Sequence, residues 1–270
     1  MNITIVLSLF SDSRKYINRL PLIRRCLISL KNQTFSNFDV IAIDNNSYDD
    51  TKSLFLKYFP NSSYFVCNLP KNRSAVRNLG ASKVTTPYII FLDCDCITYP
   101  NYVENYVRYI NNHSFQVIQG AFYSYWKYLY LKDEFIIIND GKEMIDYSSL
   151  EKIDTLVKSF YGYQTTSISS DNSKEEFYHK CDSIFSGNFC ILKEVFDKVG
   201  GFDEDFAGYG YEDAMLGHTL ISNKVKIVGV LNTAVIHQNH RCENDLSHEE
   251  DCKNAAINKE LLIKKMRGEK

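Results

Sequence analysis

Tyr88-Ile89-Ile90-Phe91-Leu92-Asp93-Cys94-Asp95 decides the fold. An unbroken apolar row suits a strand buried on both faces, the habit of parallel sheets; a strand with one wet face would alternate. The two carboxylates then fall past the strand's C-terminal end, where open α/β sheets bind their ligands. Two residues apart, they face one side if the chain stays extended. As hard oxygen donors they suit Mg²⁺ or Mn²⁺, which keep positions open for phosphate oxygens; the plainer alternative is a solvated turn after a strand.

Outward from this stretch, apolar runs alternate with amphipathic ones. Ile3–Leu9, Val40–Ile43 and Tyr64–Cys67 have strand length. Leu22, Ile23, Cys26, Leu27 and Leu30, then Leu54, Phe55, Tyr58 and Phe59, then Ala75, Val76 and Leu79 have the spacing of helices packed on a sheet. This βαβα order predicts a single-domain α/β fold with a mostly parallel, partly mixed central sheet flanked by helices. Pro21 suits a first helical turn, and Ser47 with Asp50 three residues on suggests a helix N-terminus there. Asp44-Asn45-Asn46-Ser47 leaves its strand as Asp93 leaves its own, while Arg73, Arg77 and Asn78 open the helix before the Asp93 strand. Such carboxylates accept hydrogen bonds from a base or ribose, and guanidinium groups at a helix N-terminus meet phosphate; singly, each residue reads as a cap or a surface ion pair. With neither GxGxxG nor GxxxxGK[ST] present, the set points to nucleotide binding of neither dehydrogenase nor P-loop kind.

From Tyr99 the pattern loosens into an aromatic segment, Phe122 to Tyr130, read chiefly as core packing, and a polar loop, Thr165 to Glu176. Order returns with Ser186-Gly187-Asn188-Phe189, a short helix Lys193–Val199 stopped by Gly200-Gly201, a helix near Tyr211–Ser222, and two strands, Val225–Val230 and Ala234–His237. The stretch Gly200 to Asp213 crowds glycines, carboxylates and aromatics into a turn that enters a helix. There Glu212-Asp213 would be kept ionised by the helix dipole, and an ionised carboxylate serves as a general base; the alternative is a well-capped helix. No period of 20 to 50 residues recurs, which excludes a solenoid.

Lys plus Arg number 31 against 33 Asp plus Glu, a formal charge of -2, so no overall field draws nucleic acid and acidic ligands are met locally. Ile3–Phe10 falls short of the ~20 residues a spanning helix needs and has no basic lead, so neither signal peptide nor membrane span is expected. Eight cysteines without a CxxC pair suit reduced thiols and a cytoplasmic setting. The last segment, apolar at Ala256, Ile257, Leu261, Leu262 and Met266 and basic between, fits docking on the domain first, then a partner helix or a weak peripheral contact with the inner membrane face. His237, His240, Cys242, His248 and Cys252 offer nitrogen and sulfur to zinc, but at no familiar spacing, and the acidic residues among them read as a solvated lid.

Four motifs in order, Val40 to Thr51, Ala75 to Gly80, Tyr88 to Asp95 and Gly200 to Asp213, resemble the family 2 glycosyltransferases of GT-A fold, over nearly everything from residue 3 to about 240. The Gly200–Asp213 segment is also similar to the acceptor half of β-1,4-galactosyltransferases and chondroitin-polymerase-type enzymes. The resemblance implies a nucleotide-sugar-binding half (1–97), an acceptor-binding and catalytic half (98–240), and a lid and C-terminal helix (241–270). It implies an inverting, metal-dependent enzyme that moves a hexose or N-acetylhexosamine from a UDP-sugar to a saccharide, glycolipid or peptide hydroxyl, in polysaccharide or glycoconjugate biosynthesis. Carried over by position, Asp44 contacts uracil, with Asn46 beside it and Arg77 near the nucleotide. Asp93 and Asp95 form the DxD motif for Mn²⁺ or Mg²⁺, completed by His237, and Gly187 and Asn188 line the donor-sugar pocket. Asp213 is the base and Glu212 positions the acceptor. Tyr209 stands where the related motif usually has Trp, and Cys94 and Cys96 bracket Asp95, which leaves the sugar open. An inactive nucleotide-sugar-binding module is the rival from another class.

Overall fold

The computed structural model describes residues 2–15, 18–68, 72–125, 135–151, 156–159, 176–178, 184–238 and 247–269. The first half runs β1 (Ile3–Leu9), α1 (Leu20–Lys31), β2 (Phe38–Asp44), α2 (Thr51–Tyr58), β3 (Ser63–Val66), α3 (Arg73–Lys83), β4 (Tyr88–Asp93) and β5 (Cys96–Thr98). It continues through α4 (Tyr102–His113), β6 (Val117–Tyr125), the hairpin β7 (Ile136–Asn139) and β8 (Lys142–Ile145), α5 (Tyr147–Glu151), β9 (Leu156–Ser159) and β10 (Glu176–Tyr178). The chain then forms β11 (Asn188–Leu192), α6 (Lys193–Lys198), α7 (Glu212–Ser222), β12 (Ile227–His237) and α8 (Ser247–Met266). Among the described residues no helix is long and apolar enough to cross a membrane.

One sheet runs in the order β10-β12-β6-β11-β4-β1-β2-β3, with β5 on β12 and β9 on β6. The βαβα half is parallel across β3, β2, β1 and β4, while β11 enters antiparallel between β4 and β6. Alternate side chains of β1 feed two cores. Ile3, Ile5, Leu7 and Leu9 pack with α1, Phe55 of α2, and Tyr102 and Tyr106 of α4. Val6 faces the opposite way with Ala75 and Val76 of α3, Phe196 of α6, and Leu216 and Leu220 of α7. Phe91 centres that second layer, its ring centroid 5.0 Å from Phe189, 5.2 Å from Phe196 and 5.5 Å from Phe202; truncating such a buried ring costs ~3–5 kcal/mol.

Local chemistry sets the helix ends. Pro21 sits in the first turn of α1. The cap of α2 is Asp50, which accepts from Ser53 N at 2.9 Å, whereas Ser47 is held by Asp44 and caps nothing. Asn72 caps α3 by accepting from Ala75 N at 2.9 Å. Helix α4 lies where the aromatic sequence gave no helix expectation, although Tyr102, Val103, Tyr106, Val107 and Ile110 have helical spacing and are all buried. The two C-terminal strands expected from sequence are one, β12, whose register against β6 shifts between Val230 and Val235. That bulge exposes Leu231 and breaks the apolar pattern without ending the strand. The aromatic segment's Phe122 is packed in the core, and residues 126–130 lie outside the described residues, as does most of the Thr165–Glu176 loop.

Candidate active site

Register places Asp44 beside Leu9, and Asp93 beside Ser8, so the parallel strands deliver both carboxylates to one sheet edge. Asp44 is buried and organises the turn after β2, accepting from the amide of Ser47 at 3.2 Å and from its hydroxyl. Asn46 in that turn is exposed with φ 57°, a conformation asparagine tolerates. Ser47 Oγ in turn accepts from Ser11 N at 3.0 Å, and Asp49 accepts from Ser13 Oγ at 2.6 Å, so the loops after β1 and β2 are laced together. Sequence reading gave no part to Arg14, whose guanidinium carbon lies 3.7 Å over the exposed Tyr48 ring.

Arg77 is interior and bridges the two halves of the chain. Its Nη2 donates to Asp93 Oδ1 at 3.1 Å and its Nη1 to Glu212 Oε1 at 3.1 Å. Burial works against its charge, but Asp93, then Glu212 and Asp213, outweigh that and hold its pKa above the usual value. Arg77 Nε is buried without a partner among the described residues. The residue expected near the nucleotide is therefore occupied by carboxylates, and Glu212, only 4% exposed, is occupied by that guanidinium.

Strand β5 pairs with β12 so that His237 lies opposite Cys96, which brings its Nε2 to 3.6 Å from Asp95 Oδ1. Behind them Gln238 N donates to the Asp95 carbonyl at 2.8 Å, and the buried Arg25 donates from Nε to Gln238 Oε1 at 2.6 Å. Among the described residues no three His, Cys, Asp or Glu side chains converge as one ligand set: Asp95 and His237 make a pair, while Asp93 turns to Arg77. A carboxylate and an imidazole with no closing ligand still fit a divalent ion that completes its shell with water and phosphate oxygens. Of the cysteine and histidine run, His240 and Cys242 lie outside the described residues, and Cys252 is exposed on α8.

Gly187 and Asn188 do different work. The Gly187 carbonyl accepts from Asp93 N at 3.1 Å, and a Cβ on Gly187 would come within 2.6 Å of Asp93 Oδ2, so only glycine lets that carboxylate lie there. Asn188 turns inward. Its Oδ1 accepts from Tyr102 and Tyr106 hydroxyls at 2.8 and 2.9 Å, and its Nδ2 donates to the carbonyls of Ala121 and Thr233, both at 2.9 Å. All four hydrogen-bonding positions of the amide are filled by protein, so the side chain expected in the sugar pocket ties the sheet to α4 instead.

The Gly200–Asp213 segment is held from both sides. Gly200, Gly201, Gly208 and Gly210 all take positive φ, and Tyr211 at 70° is the left-handed residue before α7. Asn72 bridges Gly208, and Asn258 of α8, 3% exposed, donates from Nδ2 to the carbonyls of Ala207, Tyr209 and Gly210 at 3.0, 3.2 and 2.9 Å. Lys265 adds ion pairs to Asp203 and Asp205 at 2.7 and 2.6 Å. The C-terminal helix thus docks on the domain, and Asn258, which sequence reading passed over, was visible only as an asparagine inside an amphipathic helix. Asp213 sits in the first turn of α7, accepting from Ala214 N at 2.8 Å. Burial, and next the Glu212 carboxylate, push its pKa up to about 7, against the pull of Arg77.

Residues 16–127 match the family model for glycosyl transferase family 2, and residues 166–241 match one described as the N-terminal domain of galactosyltransferase. Validoxylamine A glucosyltransferase of Streptomyces hygroscopicus subsp. jinggangensis is 25% identical over 260 residues, covering 92% of this chain and 58% of that relative. Chondroitin synthase of Escherichia coli is 24% identical over 244 residues, covering 82% of this chain and 33% of its own length. The chain thus spans less than two thirds of the length of either relative. Among solved structures, S. aureus TarS aligns with TM-score 0.59 at 14% identity over 88% of this chain and 37% of that one. The mannosyltransferase PcManGT from Pyrobaculum calidifontis, in complex with GDP-Man and Mn²⁺, aligns with TM-score 0.56 at 13% identity over 87% of this chain and 56% of that one. Two family matches thus lie in chain order on the strands and loops that build this site: the chain is similar to the family 2 glycosyltransferases over its first half, to galactosyltransferases over its second, and has the GT-A fold.

Proposed function

We propose that the chain transfers a hexose or N-acetylhexosamine from a UDP-sugar to an acceptor hydroxyl with inversion. The observation that carries this is the Arg77 bridge: it holds Glu212, the neighbour of Asp213, against Asp93, so a candidate base and a strand-end carboxylate share one cleft. Asp44 and the turn after β2 would receive the uracil. Asp213 takes the proton of the acceptor hydroxyl as that oxygen bonds the anomeric carbon from the face opposite the diphosphate. The bond to the diphosphate oxygen breaks with its electron pair leaving on UDP. A carboxyl pushed up to about 7 is a stronger base than an ordinary aspartate, and close to half of it is ionised at neutral pH. A divalent ion held by Asp95 and His237, with Asp93 beside them, would supply charge compensation for the leaving diphosphate.

The test is release of UDP from a panel of UDP-sugars with Mn²⁺ and sugar acceptors, with and without EDTA. Transfer that stops in chelator and returns with Mn²⁺ supports the reading. Nucleotide binding with no release across the panel supports an inactive binding module, and full activity in chelator overturns the metal assignment.

A further inference from the structure

Among the described residues Arg73, half-buried, is a cation that forms no ion pair with a carboxylate. It opens α3, and its guanidinium carbon lies 4.6 Å over the ring of Tyr209. Backbone ties fix that placement: Asn72 bridges Gly208, its Nδ2 donates to the Glu204 carbonyl at 2.9 Å, and Asn258 holds the Tyr209 carbonyl from the far side. Apart from Asp213, the carboxylates of the 203–212 segment are engaged elsewhere among the described residues. Asp203 and Asp205 pair with Lys265, Glu204 accepts from Asn78 Nδ2 at 2.8 Å, and Glu212 pairs with Arg77. Arg73 also lies close enough to Asp213 for its charge to favour the ionised carboxyl there. A guanidinium seated on an aromatic face is held in place while donors at its edge stay available for the paired oxygens of a carboxylate or phosphate.

We propose that Arg73, seated on Tyr209, receives an oxyanion carried by the acceptor sugar, so that acceptors bearing a carboxylate or phosphate near the reacting hydroxyl are the preferred class. The inference rests on Asp213 as the base, because it is Asp213 that places the acceptor hydroxyl within a sugar's reach of Arg73. The donor diphosphate offers the same chemistry, and the test separates the two sources.

The experiment measures binding of matched sugars to the full chain with UDP and Mn²⁺, by saturation-transfer NMR and calorimetry: glucuronate against glucose, galacturonate against galactose, and glucose 6-phosphate against glucose. Wild type should bind the anionic member of at least one pair ~10-fold more tightly, and Arg73→Gln should bring the two within about 3-fold. Arg73→Lys, which keeps the charge, should retain part of the preference, and UDP affinity should be unchanged in both. No anionic preference in wild type, or a preference that survives Arg73→Gln, overturns the proposal. A loss of UDP affinity in Arg73→Gln also overturns it and assigns Arg73 to the donor diphosphate. UDP release measured on the same wild-type sample keeps the two ideas apart: release without anionic preference refutes only the acceptor class, and no nucleotide binding refutes the reaction.

Discussion

Arg77 Nη1 and Glu212 Oε1 meet at 3.1 Å in the interior, joining helices 135 residues apart in sequence. Both groups are nearly inaccessible, so neither finds water if the other is removed. Arg77→Met should therefore destabilise the fold by ~3–5 kcal/mol, the range for stranding one member of a buried pair. Asp93 is the more exposed partner, its side chain 32% accessible, and Asp93→Asn should cost about 1 kcal/mol or less. Urea unfolding of the two variants checks the contrast; equal losses would show that Arg77 is no clasp.

Asp213 makes a pH prediction whose sign can be worked out. Its carboxyl is raised from 3.8 to about 7 in the folded chain, so between those values the native state holds a proton that the unfolded state has lost. Stability from this group therefore falls as pH rises through that window. Asp213→Asn should melt higher than wild type above pH 7, with the gap closing toward pH 4. The same variant should lower kcat by ~10²- to 10⁴-fold and remove an acid limb of kcat/KM centred near the raised pKa. A variant that melts lower at every pH and turns over normally would reduce Asp213 to a helix cap.

Gly187→Ala tests the approach of the 184–187 loop to β4. The new methyl would press on Asp93 Oδ2, the movable end of a side chain, so the fold should survive while the carboxylate swings away. Mn²⁺ affinity, read by electron paramagnetic resonance, should fall by about tenfold, or ~1.4 kcal/mol, with melting temperature little altered. Unchanged affinity would remove Asp93 from the metal site.

Asn258 holds three carbonyls, and Asn258→Ala leaves them without a donor, at ~1–3 kcal/mol if water does not replace it. Asn258→Asp should be worse than alanine, since a carboxylate repels the same carbonyls. Acceptor KM should rise in both while UDP affinity holds, because the proposed uracil pocket at Asp44 lies on the other half. Lys265→Ala, which breaks two partly exposed ion pairs, should cost about 1 kcal/mol or less.

What the amino-acid order disclosed was whatever short-range pattern governs. The apolar row before Asp93 reads as a doubly buried strand because parallel pairing demands it, and the observed β4 adds only Asp93. Pairing partners lie beyond such reading. Nothing local in Asn188–Leu192 says that it enters antiparallel between β4 and β6, yet that insertion carries Gly187 to Asp93 and turns the Asn188 amide inward. Arg77 shows the same limit: a basic residue near a helix start suggests phosphate, and only the tertiary fold reveals two carboxylates waiting for it.

The α8 latch also bears on when the molecule becomes complete. Domains are made from the N-terminus onward, and the β1–β4 half has its partners early in synthesis. The carbonyls of Ala207, Tyr209 and Gly210 must wait for an amide about fifty residues downstream, and Asp203 and Asp205 for Lys265 beyond it. A nascent chain can thus shape its β1–β4 half while the loop that carries Asp213 is still untied, which makes that loop the last part of the site to be assembled.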